Sequence, residues 1–226
     1  SLKNTSTYYA KKILKITSED IFFSAAKLFF AYGLGNALTF PLSVGATSIL
    51  SKDRPTVEIV NNKIKHNKVT IFFGVPTLYA AMLNSNLKPE DFKTLRLSVS
   101  AGEALPENLC NKWSKTIGSN VLDGIGSTEM LHIFISNYID LITPGSSGRP
   151  VPSYEVRLMK EDNSEADTNE IGELEVKGPT SAISYWNKPE KTKATFIGDW
   201  VKTGDKYTKD ANGIYKYCGR SDDMMK

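Results

Sequence analysis

The stretch NVLDGIGSTEMLHIFIS, Asn120 to Ser136, decides the fold, because two kinds of periodicity meet in it. NVLDGIG reads as a short apolar strand, whereas STEMLHIFIS spaces its apolar residues as a helix does. At the joint lie two glycines, a Ser-Thr-Glu run and, a few residues on, one of only two histidines in the chain. SVSAGEAL, Ser98 to Leu105, repeats the arrangement of strand, small residues and helix start. Small residues at such joints serve tight turns. They also let a ligand approach the backbone at the carboxyl edge of a parallel sheet, where helix N-termini favour anionic groups.

Working outward, DIFFSAA, VTIFFGVP and LRLSVSAG read as strands. Between them, TVEIVNNKIKHNK is a helix with Val57, Val60 and Ile64 on one face and Thr56 as its N-cap. PTLYAAMLNS is a helix opened by Pro76. LPENLCNKWSKTIG is a helix with Leu109, Trp113 and Ile117 on one face, ended by Gly118. This alternation predicts an α/β fold over residues 1–140, a largely parallel sheet with flanking helices. Past TPGSSGRPVP the strand signal takes over, in YEVRLM, IGELEVKG, DWVKTGDKY and GIYKYCGR, with polar turns between. Leu174 and Val176 alternate with Glu173, Glu175 and Lys177, as in a strand with one wet face. Residues 141–219 therefore read as a small β-barrel-like subdomain.

Composition narrows the partners. The 226 residues carry 28 Lys and Arg against 25 Asp and Glu, a net charge of +3 with no dense basic block. Nucleic acid and anionic membrane are poor partners for such a surface. The longest apolar run is broken by Lys27, Gly33, Asn36 and Pro41, which suits a core rather than a bilayer span. Cys110 and Cys218 have neither CxxC nor His/Cys ligand spacing, so a disulfide framework or zinc site is not expected and a cytoplasmic location is. The phosphate-loop pattern GxxxxGK[ST] is absent, as is GxGxxG opening a helix. TPGSSGRP precedes a strand and holds two prolines, so it reads as a connecting loop.

Five stretches in order, DGIGSTEMLHIFISN, PGSSGRPVPSYEVRL, GELEVKGPTSAISYWNKPEKT, WVKTGDKY and YKYCGRSDDMMK, resemble the core motifs of the adenylate-forming superfamily of acyl-CoA synthetases, adenylation domains and luciferases. AKLFFAYGLGNALTFPLSVGAT with DGIGSTEMLHIF is similar to the benzoate-CoA ligase branch. The resemblance implies part of the large N-terminal domain, with ATP or AMP, Mg2+ and coenzyme A as cofactors and co-substrates and a small aromatic carboxylic acid as substrate. Thr128 would contact the nucleotide phosphate and Glu129 the magnesium ion. Gly102, Glu103 and Ala104 would run along the adenine edge. Gly124 and Ile125 would face the base, Ile125 standing where many relatives carry a stacking aromatic. Asp205 would accept both ribose hydroxyls, walled by Tyr217 and Arg220. Ala31, Tyr32, Gly126, His132 and Ile133 would line the acid pocket, with Gly126 leaving space for a flat ring and Lys226 also belonging to the site. Asp222 would be the hinge, in residues 220–226, to a C-terminal domain.

Plainer readings stand beside these. Glu129 also suits a helix N-terminus, with His132 one turn on along the same helix face. Asp205 suits a turn, Arg220 a solvated surface, and His132 a core. The resemblance also places a phosphate loop before Ser1 and an adenylating lysine after Lys226, so the chain reads as a fragment, inactive alone. Loss of cover over its sheet would favour self-association as a homo-oligomer. The competing functions are an adenylation domain that loads a carrier protein and a non-catalytic module that binds a nucleotide or acyl ligand.

Overall fold

The computed structural model describes residues 1–221; the expected hinge Asp222 and the expected site residue Lys226 lie outside them. Adjacent residues of a strand point to opposite faces, and the sheet is built on that rule. In β1 (Ile21–Ser24) and β3 (Ile71–Gly74), Phe22 stacks with Phe73 at 6.0 Å between ring centroids. Phe23 stacks with Phe72 at 5.9 Å, and these two pairs belong to different core clusters. A strand apolar on both faces must be covered on both, which is the environment of a parallel sheet. β2 (Thr47–Ile49), β1, β3, β4 (Leu97–Ser100) and β5 (Asn120–Gly126) pair in that order, all parallel.

Helices Val57–His66, Pro76–Leu83 and Glu107–Ile117 cover one face, burying Val60, Ile64, Tyr79, Met82 and Trp113 against Phe23, Phe72 and Val121. The expected helix ends form. The Thr56 hydroxyl accepts from the Ile59 amide, and Gly118 closes its helix at φ 79°, where a side chain would be strained. On Glu107–Ile117 the expected Trp113 and Ile117 are buried, Leu109 packs half-buried against the same core, and Cys110 is buried with them.

The helix expected over STEMLHIFIS is not formed. After Gly126 a turn, with Leu131 at φ 67°, reverses the chain, and β6 (Ile133–Ser136) pairs antiparallel with β5. The reason is burial. Ile133, Phe134, Ile135 and Ser136 are all buried, and a short, wholly buried apolar run has no periodicity to separate strand from helix; its β-branched and aromatic content favours the strand. β7 (Arg149–Pro150) adds to β6, so the sheet has seven strands and is mixed.

The other face carries helix Leu2–Thr5, the π-helical turn Ser6–Lys11 that follows it, and a second, antiparallel sheet. β8 (Glu155–Met159), β9 (Gly172–Lys177), β11 (Trp200–Lys209) and β10 (Phe196–Ile197) lie side by side, with β12 (Tyr215–Arg220) on β11. Leu158, Leu174, Val176, Val201 and Tyr207 join the same core as Phe22, Phe73 and Phe134. The outer face of β9 is not simply wet. Glu175 is only 4% exposed, held by Arg157 at 2.7 Å and Lys202 at 3.9 Å, with Arg157 stacked 4.1 Å over Trp200. Among the described residues no helix is long and apolar enough to cross a membrane. Phe29, Phe30, Leu42 and Leu50 are exposed large apolar side chains.

Trp113 tests this packing. It is wholly buried, its ring edges onto Tyr79 at 4.6 Å, and its Nε1 donates to Ser98 Oγ at 3.1 Å. Trp113→Ala is expected to lower unfolding free energy by about 3–5 kcal/mol in urea titration, and Trp113→Phe by distinctly less. Equal losses would mean that packing volume is not what Trp113 supplies.

Candidate acid and nucleotide site

A cavity of about 740 Å³ opens at the carboxyl edge of the parallel strands. Ala25 and Ala26 follow β1, Val75 follows β3, Ala101 and Gly102 follow β4, and Gly126, Ser127 and Thr128 end or follow β5. All five residues expected for an acid pocket, Ala31, Tyr32, Gly126, His132 and Ile133, line it. Glu103, Ala104, Gly124, Ile125, Glu129, Asp205, Tyr217 and Arg220 lie outside its wall.

The cavity is polar at few points. The Tyr32 hydroxyl donates within the sheet edge, towards the carbonyls of Gly74 at 3.3 Å and Val99 at 3.2 Å. His132 is buried among Tyr9, Tyr32 and Phe40, with Phe40 4.6 Å away edge-on. Burial pushes its pKa down to about 3, so the imidazole is neutral. Its Nε2 lies within hydrogen-bond distance of Asn36 Oδ1, at 3.1 Å. Gly35 makes room for this ring: a Cβ there would stand 2.4 Å from His132 Cδ2.

A Cβ on Gly126, which lines the cavity, would meet the His132 carbonyl carbon and oxygen at 2.6 Å, so the glycine permits the close return of the chain. Glu129 and His132 accordingly share a turn, not a helix face, and no helix dipole accounts for Glu129. The Glu129 carboxylate accepts from the Tyr185 hydroxyl, and its carbonyl accepts from Ala182 N at 2.7 Å. Tyr185 went unread in the sequence, although it stands inside the motif GELEVKGPTSAISYWNKPEKT. No cluster of three His, Cys, Asp or Glu that could cage a metal exists among the described residues. A single oriented carboxylate fits Mg2+ nonetheless, since that ion is commonly held by one or two carboxylates together with substrate phosphates.

Asp123 is a second residue missed in the sequence, marked there only as a carboxylate inside an apolar strand. It is buried beside Ser100 in the β4–β5 register, and its Oδ2 is 3.5 Å from Leu105 N. Its Oδ1 has no partner among the described residues, and burial pushes the carboxyl up to about 7. On the second sheet, Asp205 and Arg220 are register partners of β11 and β12 and form an ion pair of 3.1 Å. Burial raises the Asp205 pKa against the opposing pull of Arg220. Tyr217 packs edge-on against Tyr207 at 5.6 Å, and the Tyr207 hydroxyl is 3.0 Å from Ser147 Oγ. The Gly148–Tyr215 bridge then ties this sheet to the approach of β7.

An apolar cavity at the carboxyl edge of an open α/β sheet is the position at which folds of this class hold a small molecule. The chain belongs to the AMP-binding enzyme family, whose model matches residues 2–186. Over its whole length it is 53% identical to the benzoate–CoA ligase of Thauera aromatica and covers 43% of that protein. The crystal structure of a benzoate CoA ligase from Burkholderia xenovorans LB400 is similar with a TM-score of 0.97 and 52% identity, over 100% of this chain and 46% of that one. An anthranilate CoA ligase in complex with anthranoyl-AMP gives a TM-score of 0.96 and 42% identity, over 98% of this chain and 43% of that one. The chain thus spans less than half the length of these relatives.

Asp123 carries a pH signature. Its folded pKa, about 7, exceeds the unfolded value of about 3.9, so the protonated form stabilises the fold at low pH and that contribution is lost as pH rises through 7. Asp123→Asn is expected to be more stable than the parent at pH 8, on the order of a few kcal/mol, with the gap closing towards pH 5 in urea titrations. A gap independent of pH would rule out charge burial as the cause.

Proposed function

We propose that this chain is the acid- and nucleotide-binding part of an AMP-forming aryl acid–CoA ligase, with a benzoate-type acid as substrate. The observation that carries the reading is the convergence of Ala31, Tyr32, Gly126, His132 and Ile133 on one largely apolar cavity. A flat aryl ring suits such a slot, and a neutral His132 adds polarity without a charge that an apolar ring would have to desolvate. Residues 1–140 would carry the acid and adenine site, residues 141–219 the ribose site, and residues 220–226 the hinge. The relatives named above are CoA ligases, which favours coenzyme A over a carrier protein as acceptor and a cytoplasmic enzyme over a binding module.

In the proposed reaction the acid's carboxylate oxygen attacks the α-phosphorus of ATP, and pyrophosphate leaves as the new O–P bond forms. The thiolate of coenzyme A then attacks the acyl carbon and AMP departs. Gly102 to Ala104 and Ile125 would hold the base, and Asp205 the ribose hydroxyls once Arg220 yields part of its ion pair. Thr128, exposed on the turn, would contact phosphate. Magnesium, bound through Glu129, would neutralise charge on the phosphates. Tyr185 would keep the Glu129 carboxylate oriented towards that ion. No Ser/Thr/Gly-rich phosphate loop stands in this sequence, so the chain by itself is proposed to form no acyl-adenylate.

The test is ATP-dependent thioester formation by the longer enzyme that carries this chain, against a panel of benzoates, hydroxybenzoates and short branched acids. Turnover confined to non-aromatic acids would sink the reading. In that enzyme Asp205→Ala is expected to lower kcat/KM for ATP by about ten- to a hundredfold while the KM of the acid hardly moves. Asp205→Asn, which keeps an acceptor but no charge, should fall between. Glu129→Ala should abolish the response to added magnesium rather than weaken nucleotide binding alone.

A further inference from the structure

Two loops complete the cavity wall where no strand backs it. The loop after β1 supplies Lys27 and Phe30, and the loop after β2 supplies Arg54 and Pro55. The second loop has little to hold it. Leu50, Lys52, Asp53 and Arg54 are exposed, and apart from Thr56 N donating to Arg54 O at 2.8 Å, residues 50–55 make no backbone–backbone hydrogen bond among the described residues.

Lys27 supplies what is missing. Its Nζ donates to the carbonyl of Ser51 at 2.7 Å and to the carbonyl of Asp53. Both acceptors are main-chain oxygens, and Lys27 takes part in no ion pair among the described residues. The lysine is itself fixed at its backbone: its carbonyl accepts from Phe30 N at 3.0 Å, and Gly33 abuts it so closely that a Cβ would stand 2.0 Å from that oxygen. A backbone held at its carbonyl on one loop therefore projects an ammonium that grips the backbone of the other. Charge-assisted bonds of this kind are about twice as strong as neutral ones, and two on one group define a direction as well as a distance.

We infer that Lys27 is a positioning residue that holds the Arg54–Pro55 side of the cavity wall in place and thereby sets how bulky an acid the pocket admits. The inference rests on the proposed aryl-acid function for its consequence, but not for its geometry. Without the grip, residues 50–55 are free to move outwards, and discrimination against larger acids falls because no fixed wall opposes them.

Two measurements on the longer enzyme decide it, with Lys27→Met, which keeps the apolar stem, Lys27→Gln as a milder second variant, and Lys27→Arg as the conservative rescue. Hydrogen exchange at the amide of Thr56, the one bonded N–H of this segment among the described residues, should quicken about tenfold or more in Lys27→Met, less in Lys27→Gln, and return towards the parent rate in Lys27→Arg, while β3 and β4 stay protected. The ratio of kcat/KM for benzoate to that for a two-ring aryl acid should fall about tenfold in Lys27→Met, with the KM of ATP unchanged. Unchanged exchange at Thr56 overturns the grip, and quickened exchange with unaltered acid discrimination overturns its role in specificity. Should the parent enzyme activate no aryl acid at all, the proposed function fails separately, and the exchange rates still decide whether Lys27 holds the loop.

Discussion

The close approach of Gly126 to the backbone of His132 and Ile133 is the constraint on which the site depends. It lets β5, the last parallel strand, pair at once with an antiparallel return. A helical crossover here would have carried the chain away to another parallel strand. Instead the six residues between β5 and β6 stay at the carboxyl edge, where Thr128, Glu129 and His132 are collected in a single turn. Leu131 takes a left-handed conformation to close that turn, a local cost of about 1–2 kcal/mol that the wholly buried β6 offsets.

The return also decides how the second sheet is placed. β6 brings Phe134 and Ile135 into the core that Leu174, Val176, Val201 and Tyr207 enter from the other side, so both sheets share one apolar interior. Asp205 and Arg220 are thereby carried on a body that packs against the first sheet rather than on a loosely tethered module. The polar groups around the cleft differ in how far they are satisfied. Glu129 and Asp205 are already engaged, by Tyr185 and Arg220, whereas Asp123 Oδ1 is a buried acceptor without a partner among the described residues. Buried, unpaired acceptors are costly, and they concentrate at sites where a ligand completes the pairing.

The parallel core could be read from the sequence because its signals are local. Continuous apolar strands, the Thr56 cap, Pro76 at a helix start and Gly118 at a helix end each act within a few residues, and each forms as its chemistry requires. The antiparallel strands of the second sheet were legible for the same reason, through alternation and turn residues. Ala31, Tyr32, Gly126, His132 and Ile133, which are part of the cavity lining, were legible through motif resemblance alone, since nothing in the spacing of Ala31 and His132 shows that they meet.

Tertiary structure decided the rest. Whether IFIS continues a helix or forms a strand depends on burial on all sides, which a short apolar run does not encode. The role of Gly126, the pairing of Tyr185 with Glu129 and the grip of Lys27 on Ser51 and Asp53 all join residues brought together only by the fold. The titration of Asp123 and the neutrality of His132 belong with them, because desolvation is a property of surroundings and not of the residue. The sequence by itself determined which segments fold and which family they resemble. The packed structure determined how the polar side chains at the cleft are oriented and charged, because those properties arise from neighbours distant along the chain.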